Sequence, residues 1–118
     1  MPKVSIIVLN WNGKKFLKNC LDSLDQLTYL HVEIIVVDNN SKDGSQEFVK
    51  TNYQKVILIE NKENYGFAKG NNIGFKASTG DYILILNNDT IVTPNFLTPL
   101  IKDFENNPKI ACLQPQIR

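Results

Sequence analysis

Cysteine is scarce: the 118 residues hold only Cys20 and Cys112, far apart and outside any CxxC pair. A disulfide scaffold and a zinc knuckle are thereby excluded, and a reducing, cytoplasmic compartment fits. Long apolar runs are missing too. Charged residues and asparagines interrupt the first one, so the sequence reads neither as a secretory leader nor as the run of about 18 residues that would span a bilayer. An excess of one charge is also lacking. Thirteen Lys+Arg stand against twelve Asp+Glu, a formal charge of +1, which excludes a basic footprint for a nucleic acid polymer. The single histidine, His31, has no acidic neighbour in sequence and reads as a loop residue, not a base. Glycine fingerprints are absent as well. The turn after the first apolar run, Asn10-Trp11-Asn12-Gly13-Lys14-Lys15, is neither GxGxxG nor GxxxxGK[ST]. A dinucleotide oxidoreductase that used Asp38 on a ribose is disfavoured on that ground. What remains is ordinary globular composition, 42% hydrophobic and 21% charged, in an amount suited to one domain over residues 1–118.

Strand and helix signals alternate along it. Lys3–Leu9, Val32–Val37, Val56–Glu60 and Tyr82–Leu86 are short β-branched or aliphatic runs of the fully buried kind, and Ile110–Leu113 is a shorter fifth. Between them, Phe16, Leu17, Cys20, Leu21, Leu24 and Leu27 recur at helical spacing after Asn12-Gly13, a plausible N-cap. Asp43 with Gln46 matches a capping box that opens a helix through about Asn52. Residues 64–78 read as helix despite Gly66, Gly70 and Gly74. Thr93-Pro94 and Thr98-Pro99 offer two starts for another helix. Strands alternating with helices predict an α/β fold, a mostly parallel sheet with helices on both faces.

In such a sheet, ligands gather at the carboxyl ends of the strands. The first predicted strand ends in Asn10-Trp11-Asn12-Gly13, the second in Asp38-Asn39-Asn40 and the fourth in Asn87-Asn88-Asp89, while Asn61, Asn64 and Gly66 follow the third. All four clusters therefore fall on one edge, whatever the strand order. With no loop to wrap phosphate, a hard cation held by a carboxylate is the natural substitute, and Asp89 sits at a strand tip where it could serve.

The segments VSIIVLNWNG, IIVVDNNSKDGS and ENYGFAKGNNIGFKASTGDYILILNNDT resemble, in order, the nucleotide-binding part of a family 2 glycosyltransferase of the GT-A fold, closest in flavour to its rhamnosyltransferase-like branch. The resemblance implies a Rossmann-like parallel sheet and a nucleotide-diphosphate-sugar donor. It implies that Leu9 and Asn10 lie beside the base and that Asp38 accepts a hydrogen bond from base or ribose. Asn64, Gly66 and Asn72 would border the donor. Asn88 and Asp89 would hold ribose and metal, with Asp89 the ligand of Mg2+ or Mn2+. The family's usual Asp-x-Asp reads Asn87-Asn88-Asp89 here, which implies weaker metal binding.

The expected reaction is inverting transfer to an acceptor hydroxyl. No residue of the 118 stands out as the general base, which in this family lies in the acceptor half. The chain is therefore expected to be the N-terminal, donor-binding part of a longer enzyme, inactive alone. A saccharide or lipid-linked acceptor, a role in cell-surface polysaccharide synthesis and peripheral association at the inner face of the cytoplasmic membrane belong to the same expectation. A non-catalytic nucleotide- or protein-binding domain is the alternative.

Blander readings stand beside these. Asp38 and Asp89 could simply be turn formers. Asp38, read as a loop residue, is expected to be replaceable without harm to the fold. The three glycines, each costing about 1 kcal/mol in a helix, point first to close packing. Trp11 stays open between packing and ligand contact.

Overall fold

A computed structural model describes residues 2–106. Its elements run β1 (Val4–Asn10), α1 (Lys14–Asp25), β2 (Val32–Asp38), α2 (Ser45–Asn52), β3 (Ile57–Glu60), α3 (Gly66–Ala77), β4 (Tyr82–Asn87) and α4 (Leu97–Asn106). The strands form one sheet in the order β3-β2-β1-β4, every pair parallel. The alternation expected from the sequence is thus present. The predicted fifth strand, 110–113, lies outside the described residues.

Period-two alternation divides the apolar residues between two layers. Val4, Ile6 and Val8 of β1, Val36 of β2 and Leu84 and Leu86 of β4 pack with Leu17, Leu21, Leu24, Val49, Leu97 and Ile101, which places α1, α2 and α4 on one face. Ile7, Ile35 and Val37 turn to the other face, with Leu9, Ile73 and Ile85 against them. Among the described residues only α3 covers that side. It approaches closely because two of its glycines leave room. A Cβ on Gly74 would stand 2.7 Å from Ile7 Cγ2, and one on Gly70 2.6 Å from Leu9 Cδ1. Gly66 meets nothing and is needed for another reason, a φ of +82° at the helix start.

Several element boundaries differ from expectation. β1, β2 and β4 each run one residue further, so that Asn10, Asp38 and Asn87 are strand residues and not loop residues. The capping box at α2 does not form. The N-cap is Gly44 in the left-handed region (φ +85°), and Gln46 reaches the Asp38 carboxylate instead. Asp43 accepts from Ser45 N and Oγ and from Lys14 N, bracing two helix starts together. α1 is preceded by Gly13 with no side-chain cap. The last helix begins at Leu97, between its two expected starts and nearer the later one, so Pro99 falls within its first turn, where no intrahelical N–H is lost.

Candidate functional site

The β1–β2 register sets Asn10 opposite Asp38, and the β1–β4 register sets Leu9 opposite Asn87. Three polar side chains from adjacent strand ends therefore meet. Asn10, fully buried, donates from Nδ2 to Asp38 Oδ1 at 2.9 Å and accepts at Oδ1 from Asn88 Nδ2, also at 2.9 Å. Gly13 makes the second bond possible, because a Cβ there would lie 2.0 Å from Asn88 Nδ2.

Asp38 is the centre of the network and only 1% exposed. Its Oδ1 also accepts from Ser41 Oγ at 2.7 Å, and its Oδ2 accepts from Ser41 N and Gln46 Nε2, both at 2.8 Å. The expectation that Asp38 is a dispensable loop carboxylate is corrected by this geometry: it ends β2 and has four internal donors. Removing it would strand the two Ser41 donors in a buried place and take one of two acceptors from Asn10 and from Gln46. The β1–α1 loop is tied to the same turn, since Asn12, at φ +51°, donates its N–H to Ser41 Oγ and accepts from Lys42 N.

A second cluster lies between β2, β3 and α3. Asn39 donates from Nδ2 to the Gly66 carbonyl at 3.1 Å and accepts from Asn61 Nδ2 at 2.8 Å. Asn64 accepts from Gly66 N at 2.9 Å and so shapes the entry into α3. Leu9 is half-buried under Gly70. Trp11 is 54% exposed, which removes the packing reading.

Asp89 stands apart from both clusters. It is exposed, and its carboxylate accepts no hydrogen bond from the described residues. Its charge is felt by Cys20, whose thiol is pushed up to about 12, first by burial and then by Asp89. Asn87 is exposed and Asn88 half-buried beside it. The described residues contain no group of three His, Cys, Asp or Glu side chains able to cage a metal.

On α3 the two asparagines separate. Gly70 and Gly74 mark the line that touches the sheet. At about 100° per residue, Asn72 falls on the opposite side and is exposed, away from both clusters. Asn71 falls beside the glycine line, is 6% exposed, and neither its Oδ1 nor its Nδ2 has a hydrogen-bond partner among the described residues. In a right-handed helix running against the strands, that position turns toward β4. The glycine line was the sequence signal that could have preferred Asn71 to Asn72. Ser41, Gln46 and Gly13 had no such signal, because their role depends on the register of β1 against β2 and β4.

The glycosyl transferase family 2 model matches residues 5–118. The chain belongs to that family. Among curated relatives, a glycosyltransferase of Haemophilus influenzae is 35% identical over 108 residues, covering 91% of this chain and 36% of its own. Glycosyltransferase GlyA of Streptococcus pneumoniae is 31% identical over 102 residues, covering 85% and 15%. The family 2 chain thus spans about a third or less of the length of such relatives. The Staphylococcus aureus TarS structure with UDP-GlcNAc superposes with a TM-score of 0.81 at 24% identity, covering 90% of this chain and 32% of that one, a likeness of fold. The Pyrobaculum calidifontis mannosyltransferase with GDP-Man and Mn2+ gives a TM-score of 0.69 at 27% identity, covering 76% and 28%.

Proposed function

We propose that this family 2 chain is the donor-binding part of an inverting glycosyltransferase, which moves a sugar from a nucleotide-diphosphate sugar to an acceptor hydroxyl. The observation that carries the reading is the joined Asn10–Asp38–Asn88 network across three neighbouring strand ends, with the exposed Asp89 carboxylate following Asn88 in the chain. In this reading Leu9 and Asn10 flank the base, and Asp38 holds Asn10 and Asn88 in place from beneath. Asn64 and Gly66 border the donor, and Asn71 takes the role first given to Asn72.

A divalent cation fits the chemistry at Asp89. Mg2+ and Mn2+ take oxygen ligands, and Mg2+ typically has one or two protein carboxylates with phosphates supplying others. Asp89 offers one carboxylate, and Asn87 and Asn88 offer amide oxygens. When bound, such an ion neutralises negative charge on the leaving diphosphate. The chain's own part is to orient the nucleotide against the strand ends. The general base that deprotonates the acceptor is assigned to the portion by which the relatives exceed this chain. A saccharide or lipid-linked acceptor, cell-surface polysaccharide synthesis and a site of action at the inner face of the cytoplasmic membrane complete the proposal. No helix among the described residues is long and apolar enough to cross a membrane.

Calorimetry against UDP, dTDP, GDP and CDP, with and without Mn2+, tests the reading. One diphosphate should bind, with an affinity raised about tenfold by the ion, or about 1.4 kcal/mol. Asp89→Asn should remove most of that increment and Asn87→Asp should enlarge it. Binding of the matching phosphate-free nucleoside should ignore both changes. A diphosphate affinity indifferent to divalent ions defeats the assignment of Asp89, and no binding to any of the four defeats the donor reading.

A further inference from the structure

The charges on α1 run against its dipole. Lys14, Lys15 and Lys18 occupy its first turns, where the unpaired N–H groups make the helix end positive, and Asp22 and Asp25 occupy its last, where it is negative. Helices are stabilised by the reverse order. The three lysines line a recess of about 630 Å³ between the first turns of α1 and α2, together with Asn12, Asp43 and Phe48. The recess is poor in compensating charge. Lys18 pairs with Asp22 at 2.7 Å. Among the described residues Lys14 and Lys15 have no carboxylate partner: their ammonium groups lie 5.9 Å from the Phe48 ring and 5.0 Å from the Phe16 ring. Asp43, the one carboxylate in the lining, is already held by three donors. Lys14 Nζ also sits 3.6 Å from where a Gly44 Cβ would be, over the positive start of α2. Two positive helix ends, with Lys14 and Lys15 uncompensated beside them and only Lys18 paired, thus leave the recess with a surplus of positive charge around one spent carboxylate.

We propose that this recess docks the protein on an anionic phospholipid surface. Lysines that cover a spread of helix surface beside a half-exposed aromatic ring suit a plane of headgroups better than one buried ligand. Phe16, 43% exposed at the mouth of α1, supplies that ring. The lysines lie on the carboxyl-end edge of the sheet, so docking would turn the donor cluster toward the lipid. The inference deepens the proposed action at the membrane face and rests on that reading for its purpose. Its chemistry is separate from that of Asp89.

The test is sedimentation with phosphatidylcholine vesicles containing or lacking about a third phosphatidylglycerol, alongside nucleotide-diphosphate calorimetry on the same samples. The protein should bind the anionic vesicles only, and added salt should release it. Lys14→Gln, Lys15→Gln and Lys18→Gln together should weaken vesicle binding about a hundredfold, at about fivefold per lysine. They should leave the diphosphate affinity unchanged, and Lys→Arg at the same positions should retain the vesicles. The change relieves like charge at the helix start but gives up the exposed Lys18–Asp22 pair, so the triple variant should melt within a few degrees of the parent. Equal binding to neutral vesicles, no binding to either, or release by millimolar inorganic phosphate at constant ionic strength would overturn the proposal. So would a fall in diphosphate affinity matching the loss of vesicle binding, which would make the lysines part of the donor site. A failure of diphosphate binding in the parent protein, with vesicle binding intact, would count against the donor reading alone.

Discussion

At the start of β2, Glu33 accepts from Ser5 Oγ, from Thr79 N at 2.6 Å and from Thr79 Oγ1, and has the Lys3 ammonium at 3.4 Å. At the end of the same strand, Asp38 accepts from Asn10, Ser41 and Gln46, all neutral, with no cation among its partners. Both carboxylates cross-link β1 to β2. The amino-end one is neutralised and fastens the turn before β4. The carboxyl-end one sits under a cover of amides and a hydroxyl. A buried charge met only by neutral donors costs more to desolvate than a paired one. Here it holds Asn10, and through it Asn88, across the strand ends.

Asp38→Ala should break this comparison most severely. It leaves the Ser41 N–H and O–H without their acceptor, while Asn10 Nδ2 keeps only Ser41 Oγ at 3.3 Å and Gln46 Nε2 only the Ser41 carbonyl at 3.0 Å, and we expect a loss of about 3 kcal/mol. For a domain near this size that lowers the melting temperature by roughly 10–20 °C, measurable by circular dichroism. A melt unchanged within a degree or two would return Asp38 to the role of a turn former. Diphosphate affinity should fall as well, through disorder of Asn10 and Asn88.

Glu33→Gln should cost less, about 1–2 kcal/mol, because the amide keeps one acceptor oxygen and loses mainly the charge. Its signature is in acid. Burial acts to raise the Glu33 carboxyl, but the Ser5 and Thr79 hydrogen bonds with the Lys3 ammonium outweigh it and hold it below its ordinary value of 4.5. A depressed folded value means stability that is fully present above the unfolded value and lost as pH falls through the folded one. Urea unfolding at pH 7 and pH 3 should therefore show the parent losing more than the variant. Equal losses would show that Lys3 and Thr79 do not favour the ionised form.

The four described strands, their parallel pairing and the edge on which the asparagines gather were legible because each depends on local signals: β-branched runs, breaks and crossover lengths. The Asn10–Asp38–Asn88 contacts were legible only as neighbours on an edge. Their bonding depends on register, on the extra residue by which each strand outruns its apolar stretch, and on the space left by Gly13. The capping box misled for a related reason. Gln46 had a local partner in the helix start and a stronger one in the Asp38 carboxylate, which sequence spacing does not show. Trp11 was undecidable locally, since an aromatic in a loop packs or projects according to what surrounds it.

The smallest expected effect on stability, and the sharpest on the site, lies within α3. Asn71 and Asn72 are neighbours of the same type, one buried without hydrogen-bond partners among the described residues and one exposed. A buried amide with nothing to bond costs about 1–3 kcal/mol for each unsatisfied group. Replacing it by an apolar residue of similar volume removes that cost, so Asn71→Leu should leave the ligand-free protein as stable as before or raise its melting temperature by a few degrees. If the amide exists to meet the donor, the same variant should bind the diphosphate about tenfold more weakly. Asn72→Ala, on the solvent side, should change neither quantity beyond a few tenths of a kcal/mol. A trade of affinity for stability at Asn71 with silence at Asn72 would fix which asparagine faces the ligand. The opposite outcome, affinity lost at Asn72 and kept at Asn71, would mean that α3 turns about its glycine line when the donor binds.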